Sequence, residues 1–237
     1  MKKDLLEKIK KRGYWQINFK PPVSNQKLIS LDECKNIVEK NIVKLRGWDY
    51  PYFPIRKGDN KGLEYGEDFY QGWVDWEEHK EFWLMCQSGE FIHYLALCED
   101  WFEETSEQQN LHEKIKPMSS LGIIRSVIFQ MTEIFVFLSQ LGTAGIYDDG
   151  VHVSITLHNT ENRELWMDVN WRKLFHSYKT KKQKIEFIRK YTKEQIINNP
   201  KELARDVIKY IYNEFGWLNP PDETIKNYQD KLLNGRN

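Results

Sequence analysis

The sequence predicts an α+β fold in which antiparallel hairpins pack around a long buried amphipathic helix, behind a β-α-β opening. Some segments alternate apolar and polar residues, as strands do, and others repeat apolar residues at the three- and four-residue steps of helices. Turn-forming residues separate these segments. With 237 residues, 40% of them hydrophobic, the chain is long enough to bury a core and is predicted to be one domain spanning residues 1–237.

The longest predicted helix runs from Ser120 to Leu141 and is expected to form the centre of the core. Ser119 or Ser120 is expected to cap its first amides, and Gly142 is expected to end it. Ile123, Val136 and Phe137 lie off its main apolar stripe, so we expect burial on more than one face. Its main stripe consists of Ile124, Val127, Ile128, Met131, Ile134, Phe135, Leu138 and Leu141.

The N-terminal region predicts the β-α-β opening. A short helix over 4–11 precedes a strand from Tyr14 to Lys20 whose apolar residues alternate. Ser30 and Glu33 have the spacing of a capping box and begin a helix that reaches Lys40. A second strand is predicted at 42–46, which leaves enough chain for a crossover connection.

Two hairpins are predicted further along the chain. The first spans Phe82 to Cys98 with its tip at Ser88-Gly89, which places Cys86 opposite Phe91. The second pairs residues 151–157 with 165–169, with Leu157 opposite Leu165 and Ile155 opposite Met167. A strand at 185–191 and helices at 192–198, 200–215 and 222–233 complete the prediction.

The charge is balanced overall but unevenly distributed. Residues 59–113 carry 15 acidic and 2 basic side chains. The polar stretch 99–116 is expected to be an exposed connector, so a subdomain boundary is predicted near 99–118. An acidic surface is usually a solvated one, but it can also dock a basic partner.

This acidic region is also rich in aromatic residues, which favours a non-enzymatic recognition or scaffold module. Most of the aromatics are expected to pack in the core or to anchor loops. The remainder could bind a partner protein or a cationic ligand through carboxylates and ring faces. The predicted binding residues are Trp48, Asp49, Tyr50, Trp73 and Trp76.

Four short stretches carry a resemblance to known proteins: Gly13-Tyr-Trp, residues 45–51 (LRGWDYP), Trp73-Val-Asp-Trp and residues 87–93 (QSGEFIH). Together they resemble a set of uncharacterised bacterial proteins with no established activity. The resemblance implies a bacterial, intracellular origin and supplies no catalytic residue. An accessory role in a multi-protein system of the defence type is a further expectation.

The class of protein is narrowed by what the sequence lacks. No apolar run approaches the roughly 20 residues of a membrane span, and the first residues lack the apolar core of a signal peptide, so a cytoplasmic protein is expected. Three cysteines without a CxxC pair suggest neither a disulfide framework nor a zinc cluster, and no cofactor is expected. Phosphate-loop, dinucleotide-binding, nucleophile-elbow and zinc-helix motifs are missing.

Three further groups of residues could support other functions, although the same residue patterns also occur on solvated surfaces. Acidic residues beside a lysine could form a metal-dependent phosphodiesterase or nuclease-like site; they are Asp68, Asp75, Glu78 and Lys80. The polar face of the second hairpin could hold a metal through His152, His158, Glu164 and Asp168. A basic turn could contact nucleic acid through Lys179, Lys181, Lys182 and Lys184.

Overall fold

A mostly antiparallel sheet and a long buried helix form the centre of the protein, which confirms the α+β class. The computed structural model describes residues 3–22, 29–102, 118–169 and 172–235. Within these residues, seven strands form one sheet in the order β10-β7-β1-β5-β4-β3-β2, and three short strands form a second sheet in the order β6-β8-β9. The strands are β1 (Tyr14–Lys20), β2 (Lys61–Tyr65), β3 (Phe69–Asp75), β4 (Lys80–Cys86), β5 (Phe91–Ala96), β6 (Ser120–Gly122), β7 (Val151–His158), β8 (Glu164–Met167), β9 (Arg172–Lys173) and β10 (Lys184–Tyr191).

Most of the predicted helices are confirmed because local signals define their ends. Ser30 caps α2, since its hydroxyl accepts from the Glu33 amide at 3.3 Å while the Glu33 carboxylate accepts from the Ser30 amide at 2.6 Å. Thr192 caps α4 in the same way, and Pro200 begins α5. The bounds are α1 (Lys3–Lys10), α2 (Leu31–Asn41), α3 (Gln130–Thr143), α4 (Lys193–Asn198), α5 (Pro200–Glu214) and α6 (Asp222–Leu233).

The central helix is buried as predicted, but its ends differ from the prediction. A π-helical segment, Ile123–Phe129, follows β6 directly and continues into α3. Neither Ser119 nor Ser120 caps it, because Ser120 is a strand residue. Gly142 lies inside α3, and the chain turns instead at Gly145, which has a φ of +84°.

This combined helix meets, by length and apolar character, the requirement for crossing a membrane. It is also the one such helix in the described residues. About 78% of the most apolar 18-residue stretch of this helix is buried inside the protein. It packs against the sheet and against α5. This is the placement of a core helix.

The first hairpin is confirmed, but its register differs by one residue. Phe91 lies opposite Met85, and His93 lies opposite Trp83. The Cys86 amide donates to the Glu90 carbonyl, so three residues with Gly89 at a φ of +78° form the loop instead of two. One residue of shift places His93 and Trp83 on the same face of the sheet.

The predicted second hairpin is wrong. Strand β7 pairs with β1 and β10, and β8 pairs in parallel with β6. Apolar alternation specifies which face of a strand is buried but not which strand lies beside it. The pairing of β7 with β1 joins segments more than 130 residues apart in the chain.

The predicted β-α-β opening is also corrected. In the segment 42–46, only Val43 takes part in β pairing, through an isolated antiparallel bridge to Tyr50. Strands β5 and β7 occupy both edges of β1, so a strand following α2 has no place beside it. Of the predicted connector, Glu99 to Phe102 are buried, and the remainder to residue 116 lies outside the described residues, as does most of the predicted boundary.

Candidate functional site: a cavity with a carboxylate pair

A cavity of about 370 Å³ lies where the end of β5 meets the start of the central helix. Its size is within the usual range for small-molecule sites, roughly 300–1,000 Å³. Strands, loops and the start of the central helix all contribute to it, so residues far apart in sequence share its wall. Its polar and aromatic lining includes Trp15, Arg46, Trp48, Tyr52, Trp76, His79, Glu99, Arg125, Ser126, Gln130 and Asp168.

Two buried carboxylates, Glu99 and Asp168, line this cavity and form the carboxylate pair. The side chain of Asp168 accepts from the Ile124 amide at 2.9 Å and from the Arg125 amide at 2.7 Å. That of Glu99 accepts from the Gly122 amide at 2.7 Å and from the Ser126 hydroxyl at 2.6 Å. The pair therefore caps the first amides of the central helix, which favour negative charge.

The pair comes together because of Gly122 and the pairing of β6 with β8. Parallel pairing of Gly122 with Trp166 places Asp168, two residues later, beside the helix start. A Cβ at Gly122 would lie within 3.0 Å of one oxygen of Asp168 and one of Glu99. Because both oxygens would lie within 3.0 Å of the same Cβ atom, they are less than 6 Å from each other. Glycine is required here for space and not for a left-handed backbone.

No Lys, Arg or His among the described residues forms an ion pair with either carboxylate. The pKa of Asp168 is raised to about 6. Burial is the largest cause and the negative charge of Glu99 adds to it, while the hydrogen bonds from the amides of Ile124 and Arg125 offset part of the rise. The outer oxygen of Glu99 accepts from the Cys98 thiol at 3.4 Å, which is a weak donor. The pair thus retains acceptor capacity toward the cavity.

One wall of the cavity carries two arginines, and the charge of one of them is neutralised by a buried carboxylate. Arg46 forms an ion pair with the fully buried Glu133 and donates to Gln130 Oε1 at 2.9 Å. Its guanidinium also lies 5.1 Å from the centre of the Trp48 ring. Arg125, in contrast, is exposed at the cavity. The charge beside the carboxylate pair is therefore dominated by the pair itself.

The mouth of the cavity is aromatic. Trp48, Tyr52 and Trp76, together called the aromatic rim, surround His79 with ring-centre distances of 6.2, 6.1 and 6.4 Å. Tyr52 and Trp76 contact each other edge to face at 4.9 Å. Trp48 is 47% exposed and Trp76 is 40% exposed, so both rings present apolar surface to a ligand.

A chain of polar contacts supports this rim. His79 Nε2 lies 2.7 Å from one carboxylate oxygen of Glu81. The other oxygen of Glu81 accepts from the Tyr52 amide at 2.6 Å and lies 3.5 Å from His93 Nε2. His93 Nδ1 is in turn 3.1 Å from the Tyr50 hydroxyl. Burial acts to raise the pKa of Glu81, but His93 and His79 outweigh it and hold that pKa well below its usual range.

The structure separates the five predicted binding residues. Trp48 and Trp76 lie at the mouth of the cavity. Tyr50 is buried against His93, and Trp73 is a core residue that packs with α1 on the opposite face of the sheet. Asp49 forms an ion pair with a lysine of the preceding loop at 3.3 Å. Burial and pairing give the last three a structural role.

The predicted phosphodiesterase residues do not form a metal site. Asp68 and Asp75 lie at opposite ends of β3, about 20 Å apart at the usual rise per strand residue. Asp75 pairs with Lys8 at 3.0 Å, and the buried Lys80 donates to the Trp76 carbonyl at 2.5 Å. Asp75, Glu78 and Lys80 do line one open surface pocket together, with Lys80 Nζ 3.9 Å from Asp75, and only Asp68 lies apart. Glu78 also lines the cavity, and burial raises the pKa of its carboxyl.

The predicted metal ligands of the second hairpin are dispersed, because that hairpin does not form. His158 stacks on Tyr14 at 4.4 Å, and His152 lies opposite Lys20 and Lys190. Asp168 belongs to the carboxylate pair, and Glu164 pairs with Lys179 at 3.4 Å. In the described part of the chain, no group of three or more potential ligands has metal-binding geometry.

The basic turn is locally neutralised as well. Lys182 pairs with Glu214, and Lys184 pairs with Glu186 at 3.5 Å. With Lys179 also paired, three of the four lysines predicted to contact nucleic acid have acidic neighbours; the fourth is Lys181.

Sequence reasoning missed most of the cavity. Glu99 was expected in an exposed connector, and Trp15, Arg46, His79, Ser126 and Gln130 were not predicted as site residues. One signal was present: Gly122 precedes the central helix without a side chain that could cap it. Such a helix needs acceptors from elsewhere in the fold.

Comparisons with protein-family models, curated proteins and solved structures found no match to this chain. The resemblance to a set of bacterial proteins therefore stays a prediction.

Proposed function

We propose that this protein is a non-enzymatic intracellular recognition module that binds a nitrogen-bearing ligand in the cavity. N–H groups of the ligand would donate to the carboxylate pair, Glu99 and Asp168, while its apolar surface would contact the aromatic rim. The expectation of a protein partner belongs to this proposal, since a basic side chain is one carrier of such N–H groups.

One observation supports the proposal most strongly: two buried carboxylates face a cavity, and no cation of the described chain pairs with them. Burying a carboxylate without a cation is costly, and two neighbouring ones repel each other. Backbone amides offset part of this cost. A ligand that supplies N–H donors would remove the remainder, so binding and stability are expected to be coupled.

The hydrolase alternative needs acidic side chains that converge on one ion. Asp75, Glu78 and Lys80 share an open pocket, but Asp68 lies a full strand length from Asp75, and Asp75 already pairs with Lys8. The geometry therefore favours the recognition module.

Binding of three N–H compounds, n-butylammonium, methylguanidinium and guanosine, tests the proposal. Titration calorimetry should detect binding of at least one to the wild type. The double variant Glu99→Gln, Asp168→Asn should weaken that binding at least about tenfold, since a hydrogen bond to a charged group contributes about 1.5–3 kcal/mol. The same changes at exposed positions, Glu223→Gln with Asp148→Asn, are the matched control and should bind like the wild type.

Each single variant, Glu99→Gln and Asp168→Asn, should be checked for folding by near-ultraviolet circular dichroism before titration. Binding of none of the three compounds to the wild type would contradict the proposal. Undiminished binding to a folded double variant would contradict it as well.

A further inference from the structure

Two residues that line the same cavity as the carboxylate pair, Trp15 and Gln130, each carry a buried N–H donor. Trp15 is 2% exposed, and its indole N–H has no hydrogen-bond partner among the described residues. Gln130 is 5% exposed; its oxygen accepts from Arg46, which fixes the orientation of the amide, and its Nε2 has no partner within the same residues. Buried donors are normally paired, so these two call for acceptors on the occupant of the cavity.

The required ligand therefore carries donors and acceptors on one compact frame. Ammonium and guanidinium groups have donors only, so a basic side chain would leave Trp15 and Gln130 unpaired. A planar nitrogen heterocycle has both kinds of group along its edges. Its faces can also stack on indole and phenol rings such as those of the aromatic rim.

Resting on the proposed function above, we propose that the cavity binds a guanine base. The N1–H and the exocyclic N2 amino group of guanine lie side by side and would donate to Glu99 and Asp168. Its O6 and N7 are acceptors and would meet the N–H groups of Trp15 and Gln130. Adenine fits less well, because its N1 is an acceptor and would face the carboxylates.

The charge near the mouth favours a free nucleoside or mononucleotide as the carrier of the base. Arg125 is exposed at the cavity and could meet one phosphate, whereas Arg46 is already paired with Glu133. Binding a nucleic-acid backbone requires a series of cations. The three lysines of the basic turn described above are paired with acidic residues instead.

The test compares guanosine, inosine, adenosine and methylguanidinium on the full-length wild-type protein by titration calorimetry. Guanosine should bind most tightly. Inosine lacks the N2 amino group and should bind at least tenfold more weakly, and adenosine should be weaker still. Gln130→Leu should weaken guanosine at least threefold and leave methylguanidinium unchanged, because only guanosine has acceptors for its amide. Gln183→Leu, at an exposed position just before β10, is the matched control.

The outcomes separate this inference from the proposed function. Tighter binding of methylguanidinium than of guanosine overturns the guanine assignment but supports the proposed function. Equal binding of guanosine and inosine overturns the assignment of the carboxylate pair to the N2 edge, and this comparison needs no variant. Failure of all four compounds to bind overturns the guanine assignment, and failure of n-butylammonium as well overturns the proposed function.

Discussion

Glu99 and Asp100 are neighbours in sequence and are both buried, yet their surroundings differ completely. Asp100 faces Arg163, which donates to both of its oxygens, and it also accepts from the amides of Gly13 at 2.6 Å and Met118 at 2.7 Å. Arg163 is itself fully buried and donates to two backbone carbonyls. This cluster has its charges paired and its hydrogen bonds made.

The carboxylate pair, one residue away, has a second carboxylate where Asp100 has an arginine. Its hydrogen bonds are to amides, a hydroxyl and a thiol, and its remaining acceptor capacity faces a cavity. Full pairing indicates a structural role, because nothing remains for a ligand to satisfy. Incomplete pairing beside a cavity indicates binding, and such sites are often maintained at the expense of stability.

The largest effect is expected from removing Arg163. Arg163→Met would leave Asp100 buried without its cation, so the free energy of unfolding should fall by about 3–5 kcal/mol. Urea denaturation measures this loss. Arg189→Met, an exposed position on β10, is the control and should change stability by less than about 0.5 kcal/mol.

At low temperature, where Arg163→Met remains folded, guanosine affinity should stay within about threefold of the wild type. A loss of affinity as large as that of Glu99→Gln, in protein shown to be folded, would mean that the two carboxylate clusters act as one unit.

A smaller effect on stability, but a large one on binding, is expected from Gly122→Ala. The backbone at Gly122 has a φ of −67°, which alanine adopts readily, so the substitution acts through space alone. The added Cβ would displace an oxygen of Asp168 and one of Glu99. Overpacking of this kind costs about 1–3 kcal/mol, and guanosine affinity should fall at least tenfold.

Gly58→Ala serves as the matched control, because a Cβ there would meet only the Lys61 side chain at an ordinary 3.6 Å. Its stability and affinity should equal those of the wild type. A Gly122→Ala protein that binds normally would show that the carboxylate positions are not critical.

The sequence predicted the elements well and the site poorly, for a physical reason. Capping residues, Pro200 and the apolar periodicity act over a few residues, and the helices they predict are present. The Glu99–Asp168 pair depends on the parallel contact between β6 and β8, which joins segments about 45 residues apart. No local pattern specifies that contact. The same limit applies to β7, whose buried face was predicted and whose neighbours were not.

The smallest expected effect is the pH dependence of stability, which should show the titration of Asp168 in the carboxylate pair. Burial and Glu99 raise the pKa of Asp168 to about 6, whereas an unfolded aspartate has a pKa of about 3.9. The folded state therefore holds an extra proton between these values. The stabilisation from this extra proton on Asp168 is fully present in the free energy of unfolding below about pH 4, and it is lost as the pH rises through 6.

Binding should depend on pH in the opposite direction, because an ionised Asp168 accepts N–H donors better than a protonated one. The ionised fraction rises from about 0.1 at pH 5 to about 0.9 at pH 7, so guanosine should bind up to about tenfold more tightly at pH 7. Calorimetry at both pH values measures this ratio. Asp168→Asn should bind weakly with a ratio near one. An unchanged ratio in that variant would contradict the role of Asp168 and would assign the titration to another group on the cavity wall. Glu78, whose pKa is raised by burial, would be the first to examine.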